Sequence, residues 1–131
     1  MNPLIIEATD ETPRVKLDPE SGIFEFTGNS YPENSVKFYT PIINWLKEFT
    51  QTYNKKNISI EFNFDYFNTS SAKFILEILR IIQDYYDKGN ECVVRWYYLE
   101  DDTDMYEQGE DYQSTTTVPF QIIERIDASA N

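Results

Sequence analysis

The segment Ile58-Ser59-Ile60-Glu61-Phe62-Asn63-Phe64-Asp65-Tyr66 alternates apolar and polar residues without a fault. A two-residue period puts all its apolar side chains on one face of a strand and all its polar ones on the other. The sheet containing it is therefore expected to carry helices mainly on one face and to stay at least partly open to water on the other. Thr12–Leu17 and Ile23–Gly28 read as two further short strands. Between them lies Asp18-Pro19-Glu20-Ser21-Gly22, where Pro presets a turn dihedral and Gly permits positive φ, so the pair is expected to form an antiparallel hairpin. Phe24 and Phe26 share one face of the second strand, Glu25 and Thr27 the other.

The period then lengthens. Val36, Tyr39, Ile42, Ile43, Leu46, Phe49 and Tyr53 recur at three- and four-residue steps, which predicts a helix from about Glu33 to Tyr53, with a kink or a discontinuous first turn at Pro41. Phe74, Ile75, Ile78, Leu79, Ile82 and Tyr86 form a second helical stripe. On its far side Lys73–Glu77 and Arg80–Asp84 stand at i,i+4 spacing, and Lys88-Gly89-Asn90 supplies a stop. Glu91–Leu99 reads as a strand, Glu100–Gln113 as an acidic segment able to form a short helix, and Val118–Ile123 as an edge strand, because Pro119 cannot donate to a ladder. The expected order is β-β-α-β-α-β-(α)-β, an α/β layer with a single mixed sheet, in one domain spanning 1–131. Phe38 and Trp45 fall off the main stripe, either flanking the core or forming an exposed aromatic patch.

Composition narrows the functional classes. A net charge of −12 repels nucleic-acid backbones and anionic lipid, so neither a nucleic acid nor a membrane is an expected partner. The chain has no histidine, which removes Ser-His-Asp and Cys-His chemistry along with the usual neutral-pH base, and its four glycines form no phosphate cradle. No cofactor is expected. The carboxylates from Glu100 to Asp111 lack the central Gly and spacing of a calcium loop, so no metal site is assigned. Cys92 is the single cysteine and reads as a structural thiol. Met1–Glu7 lacks the basic and long apolar regions of a secretory leader, and a cytoplasmic setting is expected.

One segment invites chemistry. Asn68-Thr69-Ser70-Ser71 stands where a strand ends and a helix begins, and the residue types admit two readings. Short polar side chains cap the first free amides of a helix; a hydroxyl there is also placed to carry a phosphate facing those same amides and the positive end of the helix dipole. Tyr31-Pro32-Glu33-Asn34-Ser35 opens the first helix in a similar way, as a cap or as part of the same surface.

Tyr31-Pro32-Glu33-Asn34-Ser35, Asn68-Thr69-Ser70-Ser71 and the acidic run Glu100–Met105 with Gly109-Glu110-Asp111 together resemble the SiaC family of bacterial regulatory phosphoproteins. The resemblance implies a STAS (SpoIIAA-like) fold of the anti-anti-sigma type. It implies a regulator that is not an enzyme, phosphorylated on Thr69 by a GHKL-type serine/threonine kinase (SiaB-like) and dephosphorylated by a PP2C-type phosphatase (SiaA-like). The unphosphorylated form would bind and activate a diguanylate cyclase (SiaD-like) in cyclic di-GMP and biofilm signalling. Ser70 and Ser71 are the alternative acceptors; Asn68, Ser70, Ser71, Lys73, Tyr31, Pro32 and Glu33 are the expected partner-binding residues, with Arg80 nearby. An anti-anti-sigma factor acting through a sigma-binding kinase is the alternative role.

Overall fold

The computed structural model describes residues 1–126; the last five residues of the expected 1–131 unit lie outside the described ones. Six strands, β1 (Leu4–Ile6), β2 (Arg14–Leu17), β3 (Ile23–Ser30), β4 (Ile58–Phe67), β5 (Cys92–Leu99) and β6 (Phe120–Arg125), form one sheet in sequential order. Helices α1 (Ser35–Thr52), α2 (Thr69–Asp87) and α3 (Thr103–Gln113) connect the later strands. The β1–β2 and β2–β3 pairs are antiparallel and the remaining three are parallel, so the sheet is mixed, as the α/β order predicted.

The alternation does what its period requires. Val15, Leu17, Phe24, Phe26, Ile60, Phe62, Phe64, Val94 and Trp96 are buried on one face, against Tyr39, Ile42, Leu46 and Phe49 of α1, Ile75, Ile78, Ile82 and Tyr85 of α2 and Met105 of α3. Each such apolar side chain contributes about 1.5–3 kcal/mol on full burial. The intervening positions, among them Glu25, Glu61, Asn63, Arg95 and Tyr97, are only half-buried and make up the open polar face. There Tyr97 donates to Glu61 at 3.0 Å, and Arg95 donates to Ser59. The turn between β2 and β3 is as expected: Gly22 takes φ +71° and its amide donates to the Asp18 carbonyl at 3.0 Å.

Several expectations are corrected. Strand β1 was not anticipated, because three residues are too few to display a period. Helix α1 starts at Ser35 rather than Glu33, with Asn34 as its cap, and runs as one element through Pro41; Lys37, whose carbonyl loses its amide partner there, is exposed. Val36, counted in the apolar stripe, is 64% exposed. In α2 the core residue after Ile82 is Tyr85, not Tyr86, since the Tyr85 hydroxyl donates to the Tyr53 carbonyl (3.0 Å) and accepts from the Lys56 amide (3.1 Å). Phe38 and Trp45 flank the core: Trp45 packs edge-on to Phe24 at 5.3 Å, and its indole donates to the Asn2 carbonyl. Neither Lys73–Glu77 nor Arg80–Asp84 forms. Among the described residues the ion pairs are Arg14–Glu7, Arg95–Glu61 and Arg125–Asp65. Holding two long exposed side chains in one geometry returns little free energy.

Tyr66 is the most consequential correction. The register of β3 and β4 shifts from Gly28↔Phe64 to Asn29↔Tyr66, so Asp65 is an extra residue on β4, a β-bulge opposite Gly28 at φ +114°. From there the alternation reverses. Tyr66 is turned outward, 55% exposed, while Phe67 enters the core at 6%.

Candidate functional site

The bulge delivers the chain to the start of α2. Past Phe67, Asn68 adopts an extended conformation and caps the helix: its Oδ1 accepts from the Ser71 amide at 2.9 Å, and its own amide donates to the Ser30 carbonyl at 3.0 Å. Capping, the first reading of the motif, is thus carried by Asn68. The three hydroxyls behind it are then free to differ, and they do.

Ser71 is fully buried. Its Oγ donates to the Ser30 carbonyl at 2.9 Å and accepts from the Ser30 Oγ at 2.9 Å. Because the Ser30 hydroxyl has spent its one proton there, the Tyr39 hydroxyl is the donor in the 2.5 Å contact with Ser30 Oγ. Burial raises the Tyr39 pKa above its ordinary value, which keeps that phenol protonated as the chain of bonds requires. Tyr39 also stacks on Phe74 at 5.1 Å, so the first turn of α2 is bound to α1 and to the end of β3 at once.

Ser70 is exposed but engaged. Its Oγ donates to Asn68 Oδ1 at 3.1 Å and lies 2.6 Å from Ser35 Oγ, which then acts as the donor to it. Thr69, the first residue of α2, is exposed, and among the described residues its hydroxyl has no hydrogen-bond partner.

The surroundings mix aromatic and charged groups. Exposed Tyr31 and Tyr66 lie 6.0 Å apart between ring centres. A groove of about 450 Å³ runs between the N-termini of α1 and α2, lined by Glu33, Ser35, Val36, Ser70, Lys73 and Phe74. Of the residues expected to meet a partner, Tyr31, Glu33, Ser70 and Lys73 are exposed, Asn68 is half-buried, and Pro32 and Ser71 are buried. Arg80 is exposed two turns further along α2. Behind the site, Tyr112 of α3 donates to the Ala72 carbonyl at 2.8 Å, which ties the acidic helix to the first turn of α2; burial raises the pKa of that phenol as well. Asp65 is paired with Arg125 at 2.6 Å. Sequence reasoning missed Ser30, Tyr39 and Val36; an isolated serine at a strand end carries no periodic signal.

The family model for SiaC family regulatory phosphoproteins matches residues 6–125. The chain belongs to the SiaC family. It is similar to apo-SiaC from Pseudomonas aeruginosa, at 30% identity and a TM-score of 0.86, covering 93% of this chain and 98% of that one. It is equally similar to a chain in the crystal structure of the diguanylate cyclase SiaD in complex with its activator SiaC from the same organism, at 28% identity and a TM-score of 0.88, with 93% and 99% covered. An uncharacterised protein of Pseudomonas aeruginosa strain UCBPP-PA14 is 29% identical over 122 residues, 93% of this chain and 96% of that protein. The STAS-like expectation is met at the level of architecture: one mixed six-stranded sheet with three helices, matching the SiaC structures.

Among the described residues there is no group of three or more carboxylates and thiols placed to hold a metal ion, and no helix long and apolar enough to cross a membrane. Cys92 is buried, which pushes its thiol up to about 11, as suits a structural rather than a nucleophilic sulfur.

Proposed function

We propose that this SiaC-family chain is a cytoplasmic partner-switching regulator and not an enzyme, acting as one domain, with Thr69 as its phosphorylated trigger. Unphosphorylated, it docks on and activates a diguanylate cyclase; phosphorylated, it is released. The observation that carries this reading is the contrast at the start of α2: Ser71 is buried, Ser70 is engaged twice, and Thr69 offers an exposed hydroxyl. A GHKL-type kinase supplies the phosphoryl group from a nucleoside triphosphate. Thr69 Oγ1 bonds to the γ-phosphorus, the bridging P–O bond breaks with its electrons leaving on the diphosphate, and the hydroxyl proton passes to a base on the kinase. A PP2C-type phosphatase returns the hydroxyl by hydrolysis. The SiaC of Pseudomonas aeruginosa, described as the activator of SiaD in their complex, supports the cyclase as the partner class.

The phosphate adds about −1.5 to −2 charges at the first residue of a helix. Its oxygens are then attracted to the unpaired amides of that turn and to Lys73 one turn on. A partner seated on the exposed Tyr31, Tyr66 and Val36 surface meets both new bulk and a new charge.

The test is incubation with the kinase and ATP followed by intact-mass measurement. Wild type gains one phosphate and loses cyclase binding, while Thr69→Ala gains none and binds throughout. Phosphate uptake by Thr69→Ala equal to wild type would refute the trigger. Recovery of a sigma-binding kinase in place of a cyclase in a pull-down with Thr69→Ala would move the role to the anti-anti-sigma one.

A further inference from the structure

Three consecutive hydroxyls stand in the first turn of α2, and the bonds around them differ in a way that selects among them. We infer that Asn68 and Ser35 are specificity-determining residues: they hold the Ser70 hydroxyl out of reaction, so that Thr69 alone accepts the phosphoryl group. This inference rests on the proposed phosphorylation of Thr69.

A hydroxyl becomes a phosphoryl acceptor by turning a lone pair toward the γ-phosphorus and its proton toward a base. Ser70 is exposed enough for a kinase to touch, so burial does not protect it. Its proton is instead committed to Asn68 Oδ1 at 3.1 Å, and a lone pair is occupied by the Ser35 hydroxyl at 2.6 Å. Reaction at Ser70 breaks both bonds. It also sets a phosphate against Ser35, the first residue of α1, which is itself only 8% exposed. Ser71 is guarded differently, by full burial among Ser30 and Tyr39. Thr69, one residue from Ser70, carries neither restraint.

Loss of two hydrogen bonds of ordinary strength raises the fraction of Ser70 hydroxyl free to react about 30-fold. Asn68→Gly removes the acceptor while leaving a residue that tolerates the cap position, and Ser35→Ala removes the other partner without changing the helix propensity for the worse. Asn68→Asp is the conservative variant: it keeps a carboxylate oxygen at the position of Oδ1.

The experiment maps phosphate by tandem mass spectrometry after incubation with the GHKL-type kinase and ATP, in a Thr69→Ala background. The parent Thr69→Ala takes up none at Ser70. Adding Ser35→Ala and Asn68→Gly together opens Ser70, which then carries phosphate where the parent carries none; Ser35→Ala alone gives an intermediate uptake, and Asn68→Asp alone gives none. Circular dichroism melts confirm that the variants fold, and the single Ser35→Ala addition decides the matter should the triple variant unfold. Silence of Ser70 in the Ser35→Ala and triple variants, with wild type phosphorylated on Thr69, overturns the inference and leaves the trigger intact. Uptake at Ser70 in the parent also overturns it. An unphosphorylated wild type overturns the trigger and the inference together.

Discussion

Replacing Gly109 by alanine sets two effects of opposite sign against each other. Gly109 lies inside α3, where alanine is ordinarily preferred by about 1 kcal/mol. Here an added Cβ would stand 2.6 Å from Trp96 Cδ1, 2.9 Å from its Nε1 and 3.1 Å from its Cγ. The indole has nowhere to go: it is fully buried, ringed by Phe62, Phe64, Phe67 and Tyr112, and its Nε1 donates to the Met105 carbonyl at 2.9 Å. Overpacking of this kind costs about 1–3 kcal/mol and the strained indole bond about 1 more, so the clash exceeds the propensity gain. The net expectation is a loss of about 2 kcal/mol, or about 6–10 °C in the melting temperature of a domain this size. Differential scanning calorimetry of wild type and Gly109→Ala measures it. A melting temperature that stays level or rises would mean that α3 slides freely over Trp96, contrary to the packing described.

Further expectations follow from the same geometry. Phe67→Ala should cost about 3–5 kcal/mol and Tyr66→Ala at most about 1, since the bulge buries the first ring and exposes the second; comparable urea midpoints for the two would contradict that assignment. Asn68→Ala should destabilise by about 1 kcal/mol through loss of the cap, with Asn68→Asp close to wild type in the same urea titration. Burial raises the Cys92 pKa from 9.0 to about 11 and lifts those of Tyr39, Tyr85 and Tyr112 as well. The folded chain then keeps protons that the unfolded chain releases. Stability is accordingly complete below about pH 9 and falls as pH rises through about 11; a urea midpoint constant from pH 7 to 11.5 would disprove it.

Where a period of two or of 3.6 runs over many residues, the sequence of this chain is legible. Strands β3, β4 and β5 and the buried faces of α1 and α2 follow directly from it. The failures come where the period is short or ambiguous. Strand β1 has three residues, and after Ile82 both Tyr85 and Tyr86 fit the helical step, the choice falling to the one whose hydroxyl reaches the end of α1. At Tyr66 the alternation is perfect and yet misleads, because a bulge depends on the neighbouring strand and on Gly28, neither of which a pattern within β4 contains. The motif at the start of α2 was visible as a run of short polar residues. What distinguishes its hydroxyls was not: Ser71 is sorted by Ser30, 41 residues earlier, and Ser70 by Ser35, 35 residues earlier.

The bulge at Asp65 absorbs one residue ahead of the join between two incompatible rhythms. Strand β4 repeats every two residues and α2 every 3.6, and they share one core-facing side only if the join falls at the right count. Deleting Asp65 would close the bulge and restore an unbroken alternation, with Tyr66 still outward opposite Asn29 and Phe67 still inward opposite Ser30. Deleting Asn68, beyond the bulge, would instead draw the start of α2 back by one residue, about 3.3 Å, and turn its apolar stripe by about 100° relative to the sheet. Ser71, Ile75 and Ile78 would then leave the core, and Thr69 would rotate out of its place at the surface. The length of chain between Phe67 and Thr69 is therefore fixed to the single residue, so this join should tolerate substitution far better than insertion or deletion.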